Sequence, residues 1–189
     1  MKKFLIAGLG NIGSEYENTR HNIGFKILDA LVESASNIRF KEDRYVSVAE
    51  YKYKGRIYVL IKPNTYMNLS GKAVNYWLQK ENIPVSNLLV VTDDIALEFG
   101  TIRIKGKGSD GGHNGLKDII ATLGDSAFAR FRFGVGNDFG RGQQADYVLG
   151  EWTEEDKTHM NERLEKSIQA IQSFGFAGLA HTMSNFNNK

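Results

Sequence analysis

Hydrophobic residues along this chain fall into two kinds of pattern. Two mainly apolar segments, Lys3–Leu9 and Leu88–Thr92, are typical of strands that are buried on both faces of a sheet. Two further runs, Tyr45–Tyr53 and Arg56–Ile61, flank the turn residues Lys54-Gly55 and predict a β-hairpin. Between these runs, apolar positions recur at helical spacing.

The remaining periodic segments complete an alternation of strands and helices. Helices are predicted to begin near Asn22 and just after Ser70, and to cover Asn114–Leu123, Glu154–Phe174 and Gly178–Met183. Two more strands are predicted at Thr101–Lys105 and Phe131–Gly136. This order of elements predicts a single α/β domain over residues 1–189, with a mixed, mostly parallel, twisted sheet that carries helices on both faces.

The composition excludes several classes of protein. The 189 residues include 24 Lys+Arg and 22 Asp+Glu, a net charge of +2, so any nucleic-acid surface must be a local patch. The chain has no Cys, which excludes disulfides and thiolate chemistry, and its 4 His argue against a His-rich metal site. The first apolar run ends at Gly8, and no run approaches the ~18 residues of a membrane span. We therefore expect a cytoplasmic protein with no membrane partner.

The residues Gly8–Gly13 spell the glycine pattern of a dinucleotide-binding loop. That motif requires a helix to begin inside it, so that amide groups at the helix N-terminus face the pyrophosphate. The residues after Gly13 carry no apolar helical face, and the predicted helix begins only near Asn22. A tight turn at the end of a strand also explains the glycines, and we favour that interpretation.

A set of amides, one imidazole and one carboxylate follow predicted strands or precede predicted helices. The set comprises Asn11, His21, Asn68, Asp93 and Asn114. Because ligands bind outside the carboxyl ends of strands in an open α/β sheet, these side chains could meet in one crevice. Each residue also has an ordinary structural interpretation: the two later asparagines as helix N-caps, the aspartate as a turn residue, and the histidine as an exposed loop residue.

Several long motifs around these residues resemble bacterial peptidyl-tRNA hydrolases, in the same order and over nearly the whole chain. The matching segments are Gly8–Gly13, Thr19–Phe25, Lys62–Val74, Asp93-Asp94, Gly111–Lys117 and Arg132–Gly136. The resemblance implies an esterase that cleaves the bond between a peptide and the 3′ ribose of tRNA, which recycles tRNA after premature release from the ribosome. A catalytically inactive RNA-binding protein of the same fold is the alternative.

The resemblance also implies catalytic roles. His21 would act as the general base on a water molecule, and Asp93 would orient its imidazole. Asn68 and Asn11 would hold the water and the scissile carbonyl. Neither a cofactor nor a metal ion is expected.

Further positions are expected to bind the substrate, and among them Met67, Asn68 and Asn114 match residues of the family's cleft. The full set is Tyr16, Tyr66, Met67, Asn68, His113 and Asn114 along the peptide channel. For Met67 a place in the core is the alternative, and for His113 a loop histidine with its own hydrogen-bond partners. An amide-lined channel suits a substrate whose peptide varies, because main-chain groups can be bound whatever the side chains are.

The RNA end of the substrate requires cations. Arg103 and Lys105 alternate along one predicted strand, and Arg132 lies on another. We expect them to bind tRNA phosphate, the alternative being a charged edge that protects a strand. The partner is therefore peptidyl-tRNA, and we expect a monomer.

The chain departs from the family pattern at several positions near these motifs. Ile12 and Asn137-Asp138 stand where prolines are usual, Ala96–Phe99 replaces an aspartate-leucine-proline stretch, and Asp110 adds a negative charge to a glycine-rich loop. None of these departures removes a proposed catalytic group. They alter the rim of the expected cleft.

Overall fold

A seven-stranded mixed sheet organises the protein, and the computed structural model describes all 189 residues. The strand order is β2-β3-β4-β1-β5-β7-β6. Strands β4, β1, β5 and β7 are parallel neighbours, while β2–β3, β3–β4 and β6–β7 are antiparallel pairs. The strands are β1 (Lys2–Gly8), β2 (Lys41–Asp43), β3 (Val46–Tyr53), β4 (Arg56–Pro63), β5 (Leu88–Asp94), β6 (Ile102–Lys105) and β7 (Ala129–Gly134).

Helices cover both faces of this sheet, as the alternation of elements predicts. The helices are α1 (Ile23–Ser34), α2 (Ser70–Lys80), α3 (Asn114–Leu123), α4 (Gln144–Val148), α5 (Glu154–Ala177) and α6 (Leu179–Phe186). Along β1, Phe4 and Ile6 belong to the core shared with α1 and α5, whereas Leu5 and Ala7 belong to the core shared with α2 and α3. Since side chains alternate across a strand, an unbroken apolar run fills both cores, and the three-layer α/β/α prediction is confirmed.

Two elements escaped the sequence analysis. Strand β2 consists of Lys41, Glu42 and Asp43 at one edge of the sheet, where charged residues protect the edge but provide no apolar pattern. Helix α4 has five residues, none of them buried, so it carries no hydrophobic period. None of the helices is both long and apolar enough to cross a lipid bilayer.

Close packing at the end of β1 determines where the first helix begins. A Cβ atom on Gly8 would overlap the backbone oxygen of Gly24, and one on Gly24 would lie 2.5 Å from the amide nitrogen of Leu9. The glycines therefore allow β1 and α1 to touch. Short 3₁₀ turns at Ser14–Tyr16 and Arg20–Asn22 separate the glycine-rich turn from α1, so its amides do not form a pyrophosphate site.

The C-terminal residues close the opposite edge of the sheet. The side chain of Asn187 accepts a hydrogen bond from the Ile104 amide at 2.6 Å and donates one to the Ile104 carbonyl at 3.0 Å. The Asn188 amide donates to the Ile102 carbonyl at 2.8 Å. These bonds satisfy backbone groups of β6 that would otherwise form an exposed edge.

We expect the substitution Asn187→Ala to lower the free energy of unfolding by about 1–2 kcal/mol, because two hydrogen bonds to the β6 backbone are lost. Urea denaturation measures this loss. Asn161→Ala, at an exposed position of α5, is the matched control and is expected to have little effect. Equal stabilities for the two variants would contradict the role of Asn187.

Candidate active site

A cleft of about 770 Å³ opens where β1, β4, β5 and β7 end or continue into loops. Ligands bind at this side of open α/β sheets. Every catalytic and peptide-binding residue predicted from the sequence lines this cleft, and so does Arg132. The predicted residues are Asn11, Tyr16, His21, Tyr66, Met67, Asn68, Asp93, His113 and Asn114. Residues from five separate stretches of the chain thus meet at one place.

The side chains of His21 and Asp93 form the innermost contact of this cleft. His21 Nδ1 lies 3.0 Å from both carboxylate oxygens of Asp93, and only 14% of the His21 side chain and 4% of the Asp93 side chain are exposed. A carboxylate can only accept, so Nδ1 carries the hydrogen. The other ring nitrogen, Nε2, has no protein partner and keeps its lone pair for a proton from the cleft.

The electrostatics of this pair suit a general base. Burial lowers the pKa of His21, but the hydrogen bond and the negative charge of Asp93 outweigh burial and leave that pKa above its ordinary value. Burial raises the pKa of Asp93, but hydrogen bonds from His113 and His21 outweigh it and hold that pKa well below its usual range. Asp93 is therefore ionised at neutral pH.

The third member of this cluster is His113. Its Nε2 lies 3.0 Å from Asp93 Oδ1, and its Nδ1 accepts hydrogen bonds from the amides of Gly115 and Leu116 at 3.1 and 3.3 Å. His113 is thus the N-cap of α3. Both ring nitrogens have protein partners, so the structure supports the alternative of a satisfied loop histidine. It offers no free ring nitrogen for the predicted contact with substrate.

His21, Asp93 and His113 also have the residue types of a metal site, with donor atoms within 4.8 Å of one another. The hydrogen-bond pattern tests this possibility. Because Nδ1 of His113 accepts two amide hydrogens, a neutral His113 carries its own hydrogen on Nε2, the atom that would have to bind the metal. The three residues fit a hydrogen-bonded cluster better than a set of metal ligands.

Three asparagine side chains surround the cluster without hydrogen-bond partners of their own. Asn11 is half-buried, and Asn68 and Asn114 are exposed in the cleft. The N-cap alternative for the latter two is wrong, since α3 is capped by His113 and no side chain caps α2. Their amide groups remain available to bind a ligand in the cleft.

Asn22 was not predicted as a site residue, but its side chain ties Asn11 to the turn that carries His21. Its buried amide accepts from the Asn11 backbone nitrogen and donates to the Asn11 carbonyl, both at 2.8 Å. The glycine-rich turn is thereby tied to the 3₁₀ turn that carries His21. The sequence signal for a role of Asn22 was its position directly after His21 in the motif Thr19–Phe25.

Apolar and aromatic residues form the wall of the cleft. Met67 is 6% exposed and packs in the core with α2 and α3, so it serves both as core and as wall. Tyr66 is 73% exposed at the mouth, and Tyr16 is half-buried. Ile12, which stands where the family usually has proline, is 51% exposed and also lines the mouth of the cleft.

Helix α4 and the residue after it supply a wall that sequence reasoning missed. The missed lining residues are Gln144, Ala145, Val148 and Leu149. Arg20 holds this segment: its guanidinium donates to the Tyr147 carbonyl at 3.0 Å and lies 4.0 Å from the centre of the Tyr147 ring. The residue before His21 therefore anchors the wall opposite it.

The predicted phosphate-binding residues lie on the two strands next to the cleft. Arg103 pairs with Arg132 and Lys105 with Arg130 in the β6–β7 register, so all four cationic side chains share one face of the sheet. Arg132 also lines the cleft, and its guanidinium lies 3.8 Å from Asp94. Arg103 donates to Asn188, whereas Lys105 is exposed and has no side-chain partner.

Arg130 holds the glycine-rich loop beside these cations. Its fully buried guanidinium donates to the carbonyls of Gly108, Ser109, Ser126 and Phe128. Burial, together with the charge of Arg132, lowers the pKa of Arg130. The Arg130 side chain therefore fixes the loop between β6 and α3 to β7.

Known proteins resemble this chain over nearly its whole length. A model of the peptidyl-tRNA hydrolase family matches residues 5–189. Peptidyl-tRNA hydrolases of Phocaeicola vulgatus and Porphyromonas gingivalis are 60% and 50% identical to this chain, over 99% and 98% of its length, and each is matched over 100% of its own length. The crystal structure of the Acinetobacter baumannii peptidyl-tRNA hydrolase superposes with a TM-score of 0.90 at 31% identity, covering 97% of this chain and 94% of that one.

The family match, the relatives and the shared fold extend over the same residues that build the cleft. The resemblance stated from the sequence motifs is thereby confirmed. The chain belongs to the peptidyl-tRNA hydrolase family.

Proposed function

We propose that this protein hydrolyses the ester bond between a peptide and the 3′ ribose of tRNA, with His21 as general base. The observation that carries this proposal is the buried His21–Asp93 contact, which leaves the lone pair of Nε2 facing a cleft lined by unpaired amides. The family and the names of the relatives indicate peptidyl-tRNA as the substrate. The order of events is that of general-base ester hydrolysis, with this chain's side chains in the proposed roles.

In the first step, His21 Nε2 takes a proton from a cleft water as the water oxygen attacks the ester carbonyl carbon. The Asp93 carboxylate stabilises the imidazolium that forms, because both of its oxygens lie 3.0 Å from Nδ1. The tetrahedral intermediate then expels the ribose oxygen, which receives the proton from His21. The products are a free peptide carboxyl group and tRNA with a free ribose hydroxyl, and no cofactor enters the balance.

The three amides divide the remaining tasks. We assign to Asn68 the placing of the water or the polarising of the scissile carbonyl, since its side chain has no protein partner and lies in the cleft. Asn11 and Asn114 would bind main-chain groups of the peptide. Tyr16, Tyr66 and Met67 would line the channel around it.

Phosphates of the tRNA would bind on the cationic face of β6 and β7. Arg103, Lys105 and Arg132 share that face, and the adjacent loop has positive-φ glycines, where an anion can approach the backbone closely. Like charges directly opposite one another on paired strands are unfavourable, and a bound polyanion relieves this repulsion.

A monomer in the cytoplasm fits this function. All residues assigned to the site come from one chain, so no second copy is needed to complete it. Peptidyl-tRNA arises during translation, which places the reaction in the cytoplasm.

We expect His21→Ala to lower kcat by about 10²–10⁴-fold, the usual contribution of a general base. The assay follows release of the acyl group from an N-blocked aminoacyl-tRNA. His159→Ala, at an exposed position of α5, is the control and is expected to keep wild-type turnover. Near-normal kcat in the His21 variant would remove this residue from the mechanism, and binding without cleavage by the wild-type protein would indicate an inactive RNA-binding protein.

We expect Asn68→Ala to lower kcat by about 10²–10³-fold, because a donor or a water-holding group is missing when the oxyanion forms. The same assay provides kcat and KM. Asn64→Ala is a matched control, since this asparagine lies exposed in the same loop but outside the cleft. A change confined to KM would instead assign Asn68 to binding.

We expect Lys105→Ala to raise KM and to reduce the slope of log KM against log salt concentration by about 1, because one phosphate contact is lost. Measurements over a series of salt concentrations provide this slope. Lys117→Ala, at an exposed position of α3, is the control. An unchanged slope in the Lys105 variant would contradict its contact with phosphate.

A further inference from the structure

We propose that His113 is a positioning residue of the reaction, which holds the Asp93 carboxylate against His21 through its Nε2–H. This role differs from the substrate contact expected from the sequence, and it rests on the proposed function of His21. The geometry points to it directly: Asp93 Oδ1 lies 3.0 Å from both His113 Nε2 and His21 Nδ1. One carboxylate oxygen thus accepts from two imidazoles.

The orientation of His113 is fixed independently of Asp93. Its Nδ1 accepts from the amides of Gly115 and Leu116, so the neutral ring must carry its hydrogen on Nε2 and donate it. The His113 amide also donates to the Asp110 carbonyl at 3.0 Å. The ring is therefore held by the first turn of α3 and by the loop before it, and only 9% of its side chain is exposed.

Sharing the carboxylate has a consequence for His21. A buried carboxylate with a single donor concentrates its negative charge on that donor, whereas a second donor takes part of it. The bond from His113 therefore moderates how strongly Asp93 raises the basicity of His21. It also prevents the carboxylate from rotating, since Oδ1 is held between the two rings, whose centres are 5.1 Å apart.

Other charged and titratable groups face the cluster from each element around the cleft. On β5, Asp94 accepts from the Ala96 amide at 2.8 Å and lies 3.8 Å from Arg132 of β7. In the loop before α3, Asp110 accepts from the Gly112 amide at 2.7 Å. The remaining titratable side chains that line the cleft are Tyr16 and Tyr66. All of these groups are present in every variant below, so their effects cancel in the comparison.

Two substitutions separate the functions of the two ring nitrogens. His113→Asn places an amide oxygen near the Nδ1 position, where it can cap α3, but it is too short to reach Asp93. His113→Gln places an amide NH₂ near the Nε2 position, where it can donate to Asp93, but it loses the cap. A role confined to capping α3 would make the Gln variant the more damaged of the two.

The experiment titrates the His21 ring by NMR in the free protein and measures the pH dependence of kcat/KM with N-blocked aminoacyl-tRNA. In the Asn variant we expect the midpoint of the His21 titration and the acidic limb of the rate profile to move to higher pH, with kcat lowered about 10-fold. In the Gln variant we expect both to stay near the wild-type positions. His159→Asn is the control for replacing an exposed histidine.

Unchanged titration of His21 in the Asn variant would overturn the proposal, and so would equal shifts in the Asn and Gln variants. The NMR titration does not depend on turnover. A shift of the His21 titration without any ester hydrolysis by the wild-type protein would therefore refute the proposed function while leaving the His113–Asp93–His21 arrangement intact. Thermal denaturation of each variant shows whether the cap on α3 has been lost.

Discussion

The buried carboxylate of Asp93 is the constraint on which the rest of the site depends. It lies near the end of β5, between β1 and β7, with 4% of its side chain exposed. An ionised carboxylate in such a place is stable only when hydrogen-bond donors surround it. Those donors are two imidazoles that both contact its Oδ1 atom, one on the turn before α1 and one at the start of α3. The one buried carboxylate therefore links two histidines, His21 and His113, that different elements of the fold carry.

Close packing between elements allows both histidines to reach Asp93, and glycines make that packing possible. Glycine at positions 8 and 24 lets the start of α1 touch the end of β1, which brings the preceding turn and His21 over β5. Gly115 plays a similar part on the other side, since a Cβ there would lie 2.7 Å from Leu9 and 2.8 Å from Met67. Gly8, which belongs to the pattern that resembled a dinucleotide loop, thus serves instead to pack α1 against β1 beside the cluster of His21, Asp93 and His113.

The sequence predicted the layers of the fold well, because the core strands and long helices carry clear apolar patterns. It also predicted that His21, Asp93 and the asparagines share a cleft, since residues at the carboxyl ends of parallel strands meet at one edge of the sheet. It could not predict the wall formed by α4, which has no buried residue. Nor could it assign His113, because its partners, Asp93 and the first amides of α3, are fixed only by tertiary packing.

The glycine-rich loop between β6 and α3 links the face proposed to bind phosphate to the cluster of His21, Asp93 and His113. One end follows β6, whose Lys105 shares a face with Arg132, and Ser109 within the loop accepts hydrogen bonds from both Arg130 and Arg132. The other end leads into His113, which reaches Asp93. The cationic face of β6 and β7 thus lies at one end of a short, hydrogen-bonded connection, and the buried Asp93 carboxylate lies at the other. Because Arg130 and Arg132 hold the same short loop that leads into His113, a tRNA bound there as we propose would contact the segment that positions the proposed base.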